Sequence, residues 1–316
     1  KKRWSMIPGW FKGEGSDALM NTIIGNYAQE KFINNNPTGE YSLDKESFVV
    51  EIASNDGYLL KNFVVRDIPC LGIEPTDSTA SAAEALNIPV CREFFGSLMA
   101  EKLAATDKKA DLIIGNNVYA HVPDINDFTL GMQKLLKPDG TITLEFPHIL
   151  RLIENSQFDT VYHEHFSYLS LTAASRIFRN AGLRVWKVEE LDTHGGSLRV
   201  YGCHTDDGRP TNKSVINLLT KEETFGICSL DLYVQFQDRA DKIKNNLLRF
   251  LLEKKNNGEV VAAYGAAAKG NTLLNYAGIK PDLISKVFDA AVSKQGQRMP
   301  GSHIPIVSPR EIKNHK

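Results

Sequence analysis

The chain has 316 residues, and 37 lysines and arginines stand against 38 aspartates and glutamates, a formal charge of −1. That balance excludes a general nucleic-acid binder, which needs a basic surplus against phosphate. At 42% hydrophobic residues the chain is too apolar for disorder, and its length points to about two domains.

In residues 1–45, Leu19, Ile23, Ile24, Tyr27 and Phe32 recur at helical spacing until Asn34-Asn35-Asn36-Pro37-Thr38-Gly39 breaks the pattern. From Ser47 the text becomes regular. A strand over 48–52 ends in Ser54-Asn55-Asp56-Gly57, and a helical stretch follows over 58–65. A second strand over 71–75 leads into an alanine-rich helix over 78–86. Further strands are expected at 88–90, 110–115 and 141–146, with a helix over 128–136 and a turn at 137–140. Strands alternating with helices predict a parallel sheet covered on both faces, and the apolar strand runs agree. Residues 171–181 read as a helix stopped by Gly182, and 198–203 as a strand.

Leu232, Phe236, Ala240, Ile243, Leu247 and Leu251 then share one face of a long amphipathic helix over 229–255, read as core and inter-domain packing. A β run over 259–264, the segment Gly265-Ala266-Ala267-Ala268-Lys269-Gly270-Asn271, a helix over 272–276 and a strand over 283–288 make a second, smaller α/β unit. The expected domains are therefore 1–45, 46–228 and 229–316. No stretch approaches the ~20 apolar residues of a membrane span, and the basic start is followed by no signal-type apolar run. The missing initiator methionine suggests a fragment. Cys70, Cys91, Cys203 and Cys228 form no CxxC pair, which supports neither a zinc knuckle nor a disulfide framework and suggests a reducing, cytoplasmic setting.

The turn after the first strand, Ala53-Ser54-Asn55-Asp56-Gly57, is small and polar and runs into a helix start, so backbone can approach a ligand there. Glu51 would repel a pyrophosphate. It suits a ligand carrying an amine and a carboxylate, such as S-adenosylmethionine. Glu74, at the end of the second strand, has the position of an acid that accepts from ribose hydroxyls. The plain alternative is an ordinary strand–turn–helix with a solvated Glu74. No GxGxxG follows any strand, which disfavours NAD.

Five segments carry more than a pattern: Glu51 to Leu60, Asn116 to Asp124, Phe158 to Ser170, Thr193 to Val200, and Tyr264 to Asn271. In this order, over 47–306, they resemble the nucleotide-sugar C-methyltransferases, which methylate carbon 3 of a 4-keto-deoxyhexose carried on a nucleoside diphosphate. The resemblance implies an α/β fold: a Rossmann-like class I methyltransferase domain and a second, smaller C-terminal Rossmann-like domain that helps hold the sugar nucleotide. S-adenosylmethionine is the implied cofactor, with Asn116 and Asn117 added to the loop residues that meet it. His165 is implied as general base, Tyr162 and Glu164 as its neighbours around the sugar, and His121 as the group that polarises the 4-keto oxygen. Two departures stand out. Family members begin with a cysteine-rich zinc module whose ligands this chain does not supply, so no zinc is expected. They also continue past the equivalent of Lys316, so the C-terminal domain reads as cut short.

The chemistry asks for such residues, because removing a proton beside a ketone needs a base tuned near working pH and a partner for the enolate oxygen. From spacing alone His163 and His165 read first as a packed or solvated pair, and after that as metal ligands with His148 or His194, or as a base. His121 reads also as a loop-holding hydrogen bonder. His194-Gly195-Gly196-Ser197 either brings N–H groups to substrate or is a tight turn. Lys269 either meets a diphosphate or sits in a segment whose alanines pack a helix on a strand. Competing functions remain open: an O- or N-methyltransferase, a metal-dependent enzyme, and a nucleotide-binding module without turnover. Oligomeric state is not readable.

Overall fold

The computed structural model describes residues 43–106 and 108–314, so the expected N-terminal helical segment lies almost wholly outside the described residues. Two compact units divide the chain. The larger spans 43–155 and Glu164–Cys228, and the smaller spans Ser156–His163 and 229–314.

The larger unit is built on strands β1 (Val49–Ile52), β2 (Cys70–Ile73), β3 (Val90–Cys91), β4 (Ala110–Asn116), β5 (Leu136–Pro147), β6 (Leu183–Leu191) and β7 (Ser197–His204). Its helices are α1 (Lys61–Val64), α2 (Asp77–Glu84), α3 (Ser97–Ala104), α4 (Ile125–Leu135), α5 (Ile149–Glu154), α6 (Leu171–Asn180) and α7 (Lys213–Phe225). The sheet order is β3-β2-β1-β4-β5-β7-β6. Pairings from β3 across to β5 are parallel, whereas β7 runs antiparallel to both β5 and β6. The wholly parallel sheet expected from the β/α alternation therefore holds only as far as β5. The order reverses between β1 and β4, and this is where open α/β sheets bind ligands at the carboxyl ends of their strands.

Every residue of β1 is buried. Val50 and Ile52 join Ile113, Ile142, Leu144 and Phe146 in one core, while Val49, Leu112 and Ile114 pack with Leu59, Leu60 and Phe63 on the opposite face. α4 starts earlier than its apolar residues suggest, because the Asp124 carboxylate accepts the Asp127 N–H at 3.0 Å. The Lys137-Pro138-Asp139-Gly140 segment falls within β5 but leaves the ladder, since Ala110 pairs with Leu136 and Leu112 next with Thr141. Pro138, with no N–H to give, is accommodated in that irregularity. α6 buries Leu171, Ala174 and Phe178 on one face. Gly202 of β7 lets the Phe178 ring lie against the strand, for a Cβ there would run into it.

The smaller unit holds α8 (Leu230–Asn256), β8 (Ala263–Tyr264), α9 (Ala268–Tyr276), β9 (Val287–Phe288) and β10 (Ile306–Val307). Its three strands are parallel in the order β10-β9-β8. Leu251, Leu274, Ile279, Val287, Met299 and Ile304 form its core, with Leu247 and Leu248 partly buried against them. Within α8 only Ala240 and Leu251 are buried, although the other members of the expected apolar face are its half-buried positions. The four cysteines are unbonded. Among the described residues no helix is long and apolar enough to cross a membrane.

Candidate functional site

β1 delivers its chain into a turn hung on one carbonyl. The N–H groups of Ala53 and Ser54 both donate to Ile73 O, at 2.8 and 3.3 Å. Ala53 and Asn55 take left-handed conformations, φ 58° and 50°, which costs the alanine about 1–2 kcal/mol and the asparagine less, since its side-chain amide donates to Ala53 O at 2.9 Å. Strain of this kind persists where the surroundings over-determine the backbone, and it gathers at ligand sites. Glu74 is one of those surroundings. Nearly buried, it accepts the Asn55 N–H at 3.1 Å and the Thr76 N–H at 2.9 Å. The acid at the end of β2 thus shapes the turn from within, in contrast to the solvated strand end of the plain reading.

Glu51 is 1% exposed, and its Oε2 has no hydrogen-bond partner among the described residues. Burial, reinforced by the negative charge of Asp56, pushes its carboxyl well above the usual range. Ser54 is fully buried, and its hydroxyl too has no partner among the described residues. An unspent buried acid beside a strained turn meets the requirement of a ligand that brings a positive amine, so the residues present fit S-adenosylmethionine. Tyr58 stands in the same field. Burial and then Glu51, Glu145 and Asp56 push its phenol up.

Asn116 closes β4, and Asn117 follows in a left-handed conformation, φ 54°, its N–H donating to Glu145 O at 2.8 Å. Tyr119 anchors the next turn. It is fully buried against Phe128, Phe146 and Phe178, and its hydroxyl lies 2.8 Å from Thr129 Oγ1. With Tyr119 fixed inside, His121 projects from the short 3-10 turn Tyr119–His121 at the carboxyl edge of the sheet.

Ala120 O accepts from the N–H groups of both Phe166 and Ser167, at 2.9 and 3.1 Å. That clasp brings the His165 segment onto the His121 turn. The two imidazoles stand 4.7 Å apart, centroid to centroid, edge to face at 68°, and the Tyr168 ring lies 5.9 Å from that of His165. Both histidines are half-buried, whereas Glu164 is exposed. The unit boundary falls between His163 and Glu164, so Tyr162 and His163 are described with the smaller unit. No group of three metal-ligating side chains occurs among the described residues, and a triad around His163 and His165 is therefore not formed there.

His194 and Gly195 of the Thr193–Gly195 turn, and Gly196 just after it, all have positive φ. Gly196 is required because a Cβ would meet Arg151 Cγ at 2.6 Å. The turn consumes part of its own donor set: the Gly196 N–H and the Ser197 hydroxyl both donate to Thr193 O at 3.0 Å. Ser197 is buried in the sheet, and His194 is exposed. Thr193 Oγ1 donates to Glu145, whose carboxylate also pairs with Arg199 at 2.6 Å. In the smaller unit, Gly265 (φ 95°) turns the chain out of β8, Asp289 accepts the Ala266 N–H at 2.6 Å, and Lys269 lies in the first turn of α9. Burial raises the Asp159 carboxyl, and the charge of Lys269 opposes that rise.

The sequence reading did not single out Tyr168, Glu145 or Arg199. The signal for the last two was present: an acid inside the apolar 141–146 run, and a lone arginine inside 198–203.

Residues 30–188, half of the chain, match the family model described as "Methyltransferase domain". The chain belongs to that methyltransferase family. Its sheet, with the antiparallel β7 between β5 and β6, is the Rossmann-like class I methyltransferase fold. Residues 192–316 match a second model, "C-methyltransferase C-terminal domain". Among curated proteins, this chain is 34% identical over 267 residues to C-methyltransferase NovU of Streptomyces niveus, covering 84% of this chain and 64% of that protein's length. Among solved structures, a Haloferax volcanii methyltransferase complexed with its Trm112 activator aligns at TM-score 0.47 and 16% identity, over 60% of this chain and 94% of that one. Magnesium protoporphyrin IX methyltransferase from Synechocystis PCC 6803 aligns at 0.43 and 12%, over 60% and 84%.

Proposed function

We propose that this chain is an S-adenosylmethionine-dependent C-methyltransferase that deprotonates carbon 3 of a nucleoside-diphosphate-linked 4-keto-deoxy sugar and places a methyl group there. The observation that carries the reading is the His121–His165 pair, held edge to face by the Ala120 carbonyl at the carboxyl edge of the sheet. A base beside a second polar ring is what carbon-acid chemistry needs, one ring to take the proton and the other to meet the enolate oxygen.

Glu51, Glu74, the turn Ala53 to Gly57, Asn116 and Asn117 hold the cofactor. When bound, S-adenosylmethionine supplies an electrophilic methyl group on a sulfonium. His165 accepts the proton from carbon 3. His121 donates to the 4-keto oxygen as charge gathers there, a role worth most in a site shielded from water. Glu164 flanks the sugar, and His194 and Gly195 offer it polar contacts. Gly196 and Ser197 shape that turn from inside, as their internal hydrogen bonds suggest.

The test has two parts. Calorimetry should show S-adenosylmethionine binding that weakens in Glu74→Ala. In deuterated water, 4-keto sugar nucleotides without cofactor should acquire deuterium at carbon 3, and His165→Asn should abolish both exchange and methylation. Methylation that survives His165→Asn would refute His165 as the base, and a product carrying the methyl group on oxygen or nitrogen would overturn the carbon acceptor.

A further inference from the structure

A buried carboxylate that this mechanism does not use lies behind the His165 segment. Glu222, near the end of α7, is 0% exposed, and both its oxygens are fully engaged. Its Oε1 meets His148 Nε2 at 2.7 Å and accepts the Leu171 N–H at 2.6 Å. Its Oε2 accepts the Thr172 N–H at 2.8 Å and the Thr172 hydroxyl at 2.6 Å. Despite burial, these hydrogen bonds hold the carboxyl below its usual range.

Leu171 and Thr172 open α6, and the chain immediately before them is the His165–Ser170 segment. Ser170 already caps the helix, its hydroxyl accepting the Ala173 N–H at 2.9 Å. A local cap is therefore in place, and a buried ion costs several kcal/mol of desolvation, so helix capping alone is a poor reason for Glu222.

His148 supplies another reason. It is the first residue after β5, 1% exposed, and its Nδ1 has no partner among the described residues, so Glu222 sets the ring's orientation. Its own N–H donates to Gly196 O at 3.0 Å, and the next N–H, of Ile149, donates to Leu169 O at 3.0 Å. One carboxylate thus ties the start of α6, the end of β5 and, through His148, the His194 turn. The His165 segment is held at its front by Ala120 O, in its middle by Ile149 and at its rear by Glu222.

We propose that Glu222, with His148, is a positioning residue that fixes where the His165 imidazole stands. This deepens the reading of His165 as the base and rests on it for its kinetic consequence.

The test uses the full chain with histidine ring carbons labelled, and the His165 resonance is assigned by its loss in His165→Asn. In Glu222→Gln the amide sets its own N–H groups against those of Leu171 and Thr172. The His165 resonance should move, while S-adenosylmethionine affinity stays unchanged. Turnover of 4-keto sugar nucleotides should fall about 10- to 100-fold, the cost expected of a misplaced reacting group, with KM little altered. Glu222→Asp should recover part of the rate. Deuterium exchange at carbon 3 without cofactor should fall in the same proportion as turnover, because both need the ring placed at that carbon.

A folded Glu222→Gln protein whose His165 resonance is unmoved would overturn the proposal. So would an undiminished rate of deuterium exchange at carbon 3 in that protein. If His165→Asn keeps full activity, the base assignment fails, and the resonance still decides whether Glu222 holds the ring. If Glu222→Gln does not fold, Thr172→Val removes one of the four contacts and carries the same readouts on a smaller scale.

Discussion

The sharpest packing demand around the turn after β1 falls on Gly57, and a methyl group there tests the geometry. Gly57 has φ +77°, where an L side chain costs about 1–2 kcal/mol. A Cβ at this place would run into Ile88 Cδ1 and lie 3.1 Å from Ala83 Cβ. Ile88 is 1% exposed, so its terminal methyl has little room to move, and overpacking of this sort costs about 1–3 kcal/mol. Gly57→Ala should therefore destabilise the larger unit by roughly 2–5 kcal/mol. Ile88→Val deletes the opposing methyl and alone costs about 0.5–1.5 kcal/mol. In the double variant the new methyl occupies the space the old one left. Only the backbone cost remains, so the pair should be more stable than Gly57→Ala by about 1 kcal/mol or more. Urea unfolding of the four proteins measures this cycle, and calorimetric titration with S-adenosylmethionine follows the turn. Affinity should fall in both proteins that carry Gly57→Ala, because Ile88→Val relieves the clash and leaves the backbone strain of the turn in place. Strict additivity of the two stability changes would refute the steric argument.

Three further outcomes follow from buried contacts. Tyr119→Phe removes the hydroxyl that meets Thr129 but keeps the ring among Phe128, Phe146 and Phe178. It should cost about 1 kcal/mol in denaturant unfolding and leave kcat intact, whereas a large loss of kcat would show the phenol acting in the chemistry. Arg199→Met strands the Glu145 carboxylate, which is paired at 2.6 Å, and should destabilise by about 3–5 kcal/mol; the double change with Glu145→Gln should recover much of that. Finally, the Glu222 carboxyl is held below its ordinary 4.5, so its contribution to folding is present above that pH and is lost as pH falls through the depressed folded value. Melting temperature against pH should drop on the acid side of 4.5, and Glu222→Gln should flatten that limb.

Several parts of the fold were readable because local pattern and global packing agree in them. β1, β2 and β4 are apolar runs closed by small or polar residues, and they sit at the middle of the sheet, where both faces are covered. β6 was not readable, and its register shift between Val185 and Lys187 shows why: an irregularity there breaks the two-residue alternation that marks a strand. The antiparallel direction of β7 leaves no trace in composition, for it depends on pairing with β5 and β6. In the smaller unit β8 and β9 are two-residue ladders, too short to carry a period, and the sequence places longer runs there.

The candidate site divides along the same line. Residues whose chemistry is their signal, Glu51, Glu74, His121 and His165, stand out as acids at strand ends or histidines in loops. What sets their geometry is silent in the sequence, because backbone carbonyls do most of it. Ile73 O gathers the turn after β1, and Ala120 O gathers the His165 segment; any residue supplies a carbonyl, so no side chain records the contact. Glu222 is the opposite case. It lies within a helix as an acid among lysines and glutamates, Lys221-Glu222-Glu223, which read as a solvated surface. Only the fold shows that one of the three points inward at full burial while its neighbour Lys221 reaches Glu190 on the outside. A charge becomes informative once its desolvation is visible. For that reason the buried acids of this chain, more than its histidines, show which segments must be held in place.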